Sequence, residues 1–171
     1  MNGKKKVSVL FVCMGNICRS PTAEAVFRAH LEEAGLHHHV EVDSAGTHDY
    51  HVGQPPDARA RAAGLRRGYR MDHLRGRQVS ERDFERFDYV LAMDMDNLEH
   101  LVRLCPQTHA HKLSLFMEYA RNFREREVPD PYYGGPAGFE QVLDMVEDAS
   151  RGLLEHIRRR HFGPGRRGEE Q

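Results

Sequence analysis

The apolar run VSVLFVC at residues 7–13 passes without a spacer into the polar stretch MGNICRS, and Pro21 follows at once. A short run rich in β-branched residues, with no polar alternation, reads as a strand buried on both faces of a parallel sheet. Ser20-Pro21 then reads as a helix start, with a hydroxyl at the N-cap and a proline at N1, where its missing N–H costs nothing. Strand, tight loop and helix in that order commit the chain to a crossover connection, and therefore to an α/β layer architecture.

The rest of the pattern agrees. Ala23, Ala25, Val26, Phe27, Ala29 and Leu31 form an apolar stripe that Gly35 stops. VEVDSAG at 40–46 predicts a second strand. Asp57 caps a helix running to about Gly68, and Ser80 with Asp83 caps a short helical piece. YVLAMD at 89–94 predicts a strand, NLEHLVRLC at 97–105 a helix halted by Pro106, and 111–115 a weaker strand. Phe139, Val142, Leu143, Val146, Ala149, Leu153 and Ile157 recur at helical spacing. The expected fold is one α/β domain over residues 1–162, a doubly wound four-stranded parallel sheet with helices on both faces. From Arg158 the arginines and Gly163-Pro164-Gly165 read as solvated, leaving a loosely ordered polar tail at 163–171.

Length and charge set outer bounds. The 171 residues suit one domain, and 25 Lys+Arg against 26 Asp+Glu provide no general field for nucleic acid or an anionic membrane. Any anion must be held locally. No stretch approaches the ~18 apolar residues of a membrane span. Lys4-Lys5-Lys6 before the apolar run imitates a secretion signal, but Val12 rather than a small residue precedes Cys13. Three cysteines, odd in number, suit a reducing compartment, and the expected location is cytoplasmic.

The loop at 13–20 sits where a strand's carboxyl end meets a helix N-terminus, the position in an open sheet where unpaired N–H groups favour a phosphate. Five residues separate Cys13 from Arg19. That spacing lets the amides of Met14, Gly15, Asn16, Ile17, Cys18 and Arg19 wrap a tetrahedral dianion, with the thiol beneath phosphorus and the guanidinium forked across two oxygens. Gly15 permits a tight turn, and Asn16 tolerates φ > 0. Amides, dipole and guanidinium are the surroundings that hold a cysteine as a reactive thiolate, and Ser20 is placed to donate to the sulfur. The competing reading makes Cys13 a small core residue and Arg19 a surface charge. The strand before the loop and the helix after it favour the chemical one.

Residues 9–27, VLFVCMGNICRSPTAEAVF, resemble the signature of the low-molecular-weight protein tyrosine phosphatases. The resemblance continues through DSAGT (43–47), GQPPD (53–57), His73 with Arg77-Gln78, LAMD (91–94) and VPDPYYGG (128–135), and spans about 7–160. It implies phosphotyrosine hydrolysis through a cysteinyl-phosphate, with no cofactor and no metal. Asp130, between two prolines, matches the general acid and then base. Asn16, Ser20, Ser44 and His73 support the phosphate loop, the first, third and fourth by match to the family's network, and Asp94 matches a buried carboxylate beside the arginine. Tyr50, Tyr132 and Tyr133 match a substrate lip, and Asp49 and His51 flank Tyr50. Expected partners are phosphotyrosine proteins or peptides and inorganic phosphate or oxyanion inhibitors. The expected state is mainly monomeric, with weak self-association through Tyr132 and Tyr133.

Cys18 shares the loop with Cys13, so a reversible Cys13–Cys18 disulfide is a further expectation. Cys105, at a helix end, is expected as buried packing. Other readings remain: a phosphoarginine phosphatase, disfavoured by Ile17; an arsenate reductase, disfavoured because 88–97 lacks the further cysteines; and a silent phosphopeptide-binding module. A metal site of His37, His38 and His39 with Cys13 and Cys18 fits no common zinc spacing.

Overall fold

A computed structural model describes residues 6–163. In chain order the main elements are β1 (Val7–Cys13), α1 (Arg19–Glu33), β2 (Val40–Gly46), α2 (Ala58–Arg66), α3 (Glu81–Arg86), β3 (Tyr89–Ala92), α4 (Met95–Leu104), β4 (Leu113–Leu115) and α5 (Pro136–Ile157). The four strands form one parallel sheet in the order β2-β1-β3-β4. β1 is therefore central, and every one of its residues is buried, which is why the run shows no polar alternation.

The strand divides its side chains between two cores. Val7, Val9, Phe11 and Cys13 join α1 and α5, where Phe11 meets Phe27 edge-on at 5.8 Å and Phe116 at 4.9 Å between ring centroids. Leu10 and Val12 face the other way, against Phe84, Phe87 and Leu101 from α3, its C-cap and α4. Helices thus cover both faces. α5 packs closely on the turn Phe116–Tyr119: a Cβ on Gly152 would lie 1.7 Å from the Tyr119 carbonyl oxygen. Asp148 of α5 holds the segment just beyond, accepting N–H bonds from Arg121 (3.2 Å), Asn122 (2.9 Å) and Phe123 (2.9 Å). Burial pushes this carboxyl up, but the three donors outweigh it and hold it below the usual carboxylate range.

Several boundaries differ from the sequence reading, each for an identifiable reason. α1 begins at Arg19 with Cys18 as N-cap, so Pro21 is its third residue and Ser20 is no cap. The Ser20 hydroxyl is turned to the Cys13 sulfur instead. β3 stops at Ala92 because Asp94 caps α4, its side chain accepting from the Asn97 N–H, and α4 starts at Met95 rather than Asn97. A 3-10 turn at Gln107–Lys112 shortens the fourth strand to Leu113–Leu115.

The segment after Ile157 does not leave the domain at Arg158. One π-helical turn, Arg158–Phe162, extends the last helix. Tyr89 Oη lies 2.9 Å from His161 Nε2, and Phe162 packs on the larger core. The expected tail beyond Gly163 lies outside the described residues.

Candidate active site

β1 ends at Cys13, and the chain turns back into α1 through a loop whose shape depends on Asn16. Asn16 is the single non-glycine residue with positive φ (58°) among the described residues, a conformation its short polar side chain tolerates. Gly15 itself has no positive φ. Its requirement is space, since a Cβ there would come within 3.1 Å of His51 Cδ2. The turn aims donors at the sulfur: Cys13 Sγ accepts from Asn16 N at 3.3 Å and Ser20 N at 3.5 Å, and lies 3.0 Å from Ser20 Oγ.

A buried network surrounds the Ser20 hydroxyl. Glu24, 2% exposed, takes two hydrogen bonds from Arg28 (3.1 and 2.9 Å) and one from Ser44 Oγ (2.7 Å). Having given its proton to Glu24, Ser44 accepts from Asn16 Nδ2 at 3.0 Å. Asn16 Oδ1 is occupied by the Arg77 main-chain N–H at 3.0 Å, and the remaining Nδ2 hydrogen goes to Ser20 Oγ at 2.9 Å. The Ser20 hydroxyl accepts from Asn16, and its own hydrogen has the Cys13 sulfur at 3.0 Å and the Ala45 carbonyl at 3.5 Å within reach, the sulfur being the nearer. Burial pushes the Glu24 carboxyl above its ordinary value, and the Ser44 and Arg28 hydrogen bonds offset only part of the push.

The loop rests on β2. Thr47 N–H bonds the Cys13 carbonyl at 2.9 Å and His48 N–H the Met14 carbonyl at 3.1 Å. Gly46 lies beneath them, where a Cβ would come within 2.7 Å of the Met14 oxygen.

Arg19 is 3% exposed and crosses from α1 to the far side of the site. Its NH1 donates to Asp94 Oδ2 at 2.7 Å and the Val128 carbonyl at 2.9 Å, while NH2 stands 3.9 Å from Asp130 Oδ2. Burial opposes the guanidinium charge, but Cys13, Asp94 and Asp130 outweigh it and hold the group above its ordinary value. Asp94 is half-buried rather than buried, and its other oxygen caps α4. Val128 is fully buried and donates its N–H to the Met93 carbonyl at 2.8 Å, anchoring the segment that carries Asp130. Asp130 is exposed and accepts from the Tyr132 N–H at 3.1 Å.

A cavity of about 260 Å³ brings these groups together. Cys13, Met14, Gly15, Ile17, Cys18 and Arg19 line it from the loop, Tyr50 and His51 from one side, and Asp130, Tyr132 and Tyr133 from the other. Tyr50 and Tyr133 are 65% and 91% exposed, so they stand at the mouth. Cys13 and Cys18 are both buried free thiols. Burial, reinforced by Asp57, pushes the Cys18 thiol up to about 12.

His73 does not join the network. It is exposed, beside Ala25, Arg28 and Tyr69 on the outer side of α1. Arg28 takes the place next to Glu24, and the Arg77 backbone takes the place next to Asn16. Cys105 is half-buried rather than buried, with its thiol on the Pro106 carbonyl at 3.3 Å. His37, His38 and His39 lie at the opposite end of the sheet from Cys13, since the His39 carbonyl accepts from Val7 N–H at the start of β1. They share no site with Cys13 and Cys18. Among the described residues no group of three or more His, Cys, Asp or Glu is placed to hold a metal ion, and no helix is long and apolar enough to cross a membrane.

Sequence reasoning missed Glu24, Gly46, Asp57 and Arg77. A signal existed for the first, a carboxylate inside the apolar stripe TAEAVF, which has no reason to be there unless it is paired.

Fold and site together define an α/β domain whose central strand ends in a loop at a helix N-terminus, the position that favours an anion in open sheets, with a cysteine within it. The family described as low molecular weight phosphotyrosine protein phosphatase matches residues 8–162. A low molecular weight protein-tyrosine-phosphatase of Streptomyces coelicolor is 51% identical over 88% of this chain and 93% of its own. A crystal structure of a protein tyrosine phosphatase from Entamoeba histolytica, with Hepes in the active site, superposes with a TM-score of 0.87 at 43% identity, covering 89% of this chain and 97% of that one. YfkJ from Bacillus subtilis superposes at 0.88 with 36% identity, over 94% and 99% of the two chains. The chain belongs to the low molecular weight phosphotyrosine protein phosphatases and is a protein-tyrosine-phosphatase.

Proposed function

We propose that the protein hydrolyses phosphotyrosine in proteins or peptides through a cysteinyl-phosphate intermediate. The observation that carries this is the convergence of the Cys13 sulfur, the Arg19 guanidinium and the Asp130 carboxylate on one cavity. Cys13 attacks phosphorus from below. The loop amides and the free edge of Arg19 hold the equatorial oxygens, NH1 being already committed to Asp94 and Val128. Asp130 protonates the departing phenolic oxygen. As its conjugate base it then takes a proton from the water that attacks the thiophosphate, and the cysteine leaves as thiolate held by the Ser20 hydroxyl.

Tyr50, Tyr132 and Tyr133 supply aromatic walls of the kind a phenyl ring stacks against. Inorganic phosphate and other oxyanions compete for the same amides. The apolar Ile17 side chain lining the cavity favours a phenyl ring over a guanidino group, and turnover of phosphotyrosine, phosphoserine and phosphoarginine peptides separates those substrates. We place the enzyme in the cytoplasm and as a monomer whose exposed Tyr133 permits weak self-association.

Asp130→Ala is expected to lower kcat/KM, which reports the phosphoryl-transfer step, by ~10²–10⁴ for poor leaving groups, the usual worth of a positioned acid. The loss shrinks for nitrophenolate, which leaves without a proton. A series of aryl phosphates checks this, and an equal loss across the series removes Asp130 from the role.

Cys18 is the partner for oxidised Cys13. Peroxide converts Cys13 to a sulfenic acid, and the Cys18 sulfur displaces water to form the disulfide, which thiols reduce. With the Cys18 thiol at about 12, its thiolate fraction grows about tenfold per pH unit from neutral upward, and disulfide formation should accelerate accordingly. Peptide mapping after peroxide at pH 7 and 9 tests it. Sulfinic acid on Cys13 with Cys18 free at both pH values would rule the pairing out.

A further inference from the structure

Arg59 lies on the first turn of α2, outside the set of groups that line the cavity. Its side chain is 45% exposed, and an exposed arginine is ordinarily a loose, solvated arm. Here it is held on three sides. Nε and NH2 each donate to a different oxygen of Asp57, both at 3.0 Å. The guanidinium carbon stands 5.3 Å from the ring centroid of Tyr132 and 4.8 Å from that of Phe139, both inside cation–π range. The two anchors differ in kind. Phe139 is buried in the core at the start of α5, whereas Tyr132 is exposed at the cavity mouth.

Asp57 connects this clip to the phosphate loop, since its main-chain N–H bonds the Ile17 carbonyl at 2.8 Å. Tyr132 connects it to the acid, since its N–H bonds Asp130 Oδ1 at 3.1 Å. Successive contacts therefore run from Ile17 through Asp57, Arg59 and Tyr132 to Asp130. Between Val128, pinned to Met93, and α5, the 130–133 segment has Pro131 buried and Asp130 facing Arg19 at 3.9 Å, and Arg59 adds a tie from α2 to the exposed Tyr132. A planar cation suits this task, because it forks onto a carboxylate at its edge while offering its faces to rings; an ammonium does not.

We infer that Arg59 is a positioning residue for the general acid: it clamps Tyr132 so that Asp130 stands over the phosphate loop at the height of the leaving oxygen. The inference rests on the reading of Asp130 as that acid. It predicts a defect in the proton transfers Asp130 makes, visible in kcat/KM as a dependence on the leaving group, with phosphoryl binding intact.

The experiment compares wild type, Arg59→Gln, Arg59→Lys and Asp130→Ala on aryl phosphates of graded leaving-group pKa, with inhibition by inorganic phosphate measured for each. Both Arg59 variants are expected to lose roughly 3- to 30-fold in kcat/KM with the poorest leaving group and little with nitrophenolate. Their phosphate inhibition constants should stay within about twofold of wild type. In a Tyr132→Leu background the Arg59→Gln loss should largely disappear, because the two changes break the same link. A loss uniform across the series, full activity in Arg59→Lys, or an undiminished loss in the Tyr132→Leu background overturns the inference. If Asp130→Ala itself shows no dependence on leaving group, the acid assignment is what has failed; if it does and Arg59→Gln does not, Arg59 alone is excluded.

Discussion

Cys13→Ser is expected to reduce turnover by on the order of 10⁵-fold or more while leaving oxyanion binding nearly intact. The reason lies in what each group supplies. In the proposed reading the phosphoryl group is held by main-chain amides and Arg19, none of which depends on the side chain at position 13. The nucleophile depends on it entirely. Asn16 N–H, Ser20 N–H and the Ser20 hydroxyl surround the sulfur, and such donors stabilise an anion that a thiol yields readily and a hydroxyl does not at neutral pH. Steady-state hydrolysis of p-nitrophenyl phosphate and calorimetric titration with inorganic phosphate are the two measurements. Parallel loss of rate and binding would place the sulfur in the scaffold rather than the chemistry.

Arg19→Lys is expected to cost ~10³–10⁵ in kcat, the range set by removing an arginine that stabilises a transferring phosphoryl group. Charge is retained in this variant, so the loss isolates geometry. One ammonium cannot reach Asp94 Oδ2 and the Val128 carbonyl, 2.7 and 2.9 Å from NH1, and also bridge two phosphoryl oxygens. In contrast to Cys13→Ser, phosphate affinity should fall with the rate. Arg19→Ala adds a structural penalty, because the buried Val128 carbonyl loses its donor, at about 1–3 kcal/mol for an unsatisfied buried group, and the half-buried Asp94 loses its cation. Thermal denaturation beside the kinetics separates the two effects. A lysine variant within tenfold of wild type would show that position 19 acts as a point charge only.

Legibility in the sequence followed the locality of the interactions. The seven residues of β1, the loop spacing from Cys13 to Arg19 and the α5 stripe from Phe139 to Ile157 are each set by neighbours a few positions away, and each was readable. The Asn16 conformation was too, because few residues adopt φ > 0. Boundaries set by side-chain competition were not. Ser20 reads as a helix cap until the sulfur claims its hydroxyl, and Asp94 reads as the end of a strand until α4 claims it as a cap. His73 shows the limit of resemblance, since its match to a known pattern does not fix where the side chain goes.

Amino-acid order alone determined the layer architecture, the strand-loop-helix turn after β1 and the placing of a thiol and a guanidinium on one loop, because periodicity and short-range spacing encode them. Tertiary structure decided the proton order that runs from Glu24 through Ser44 and Asn16 to Ser20. It also decided the bracing of Arg19 by Asp94 and Val128, 75 and 109 residues away, and the clip that Arg59 makes between α2 and the acid segment. These contacts join segments that only the packing of α1 and α5 on the sheet brings together, and no local pattern records which distant carboxylate or carbonyl will meet a given donor.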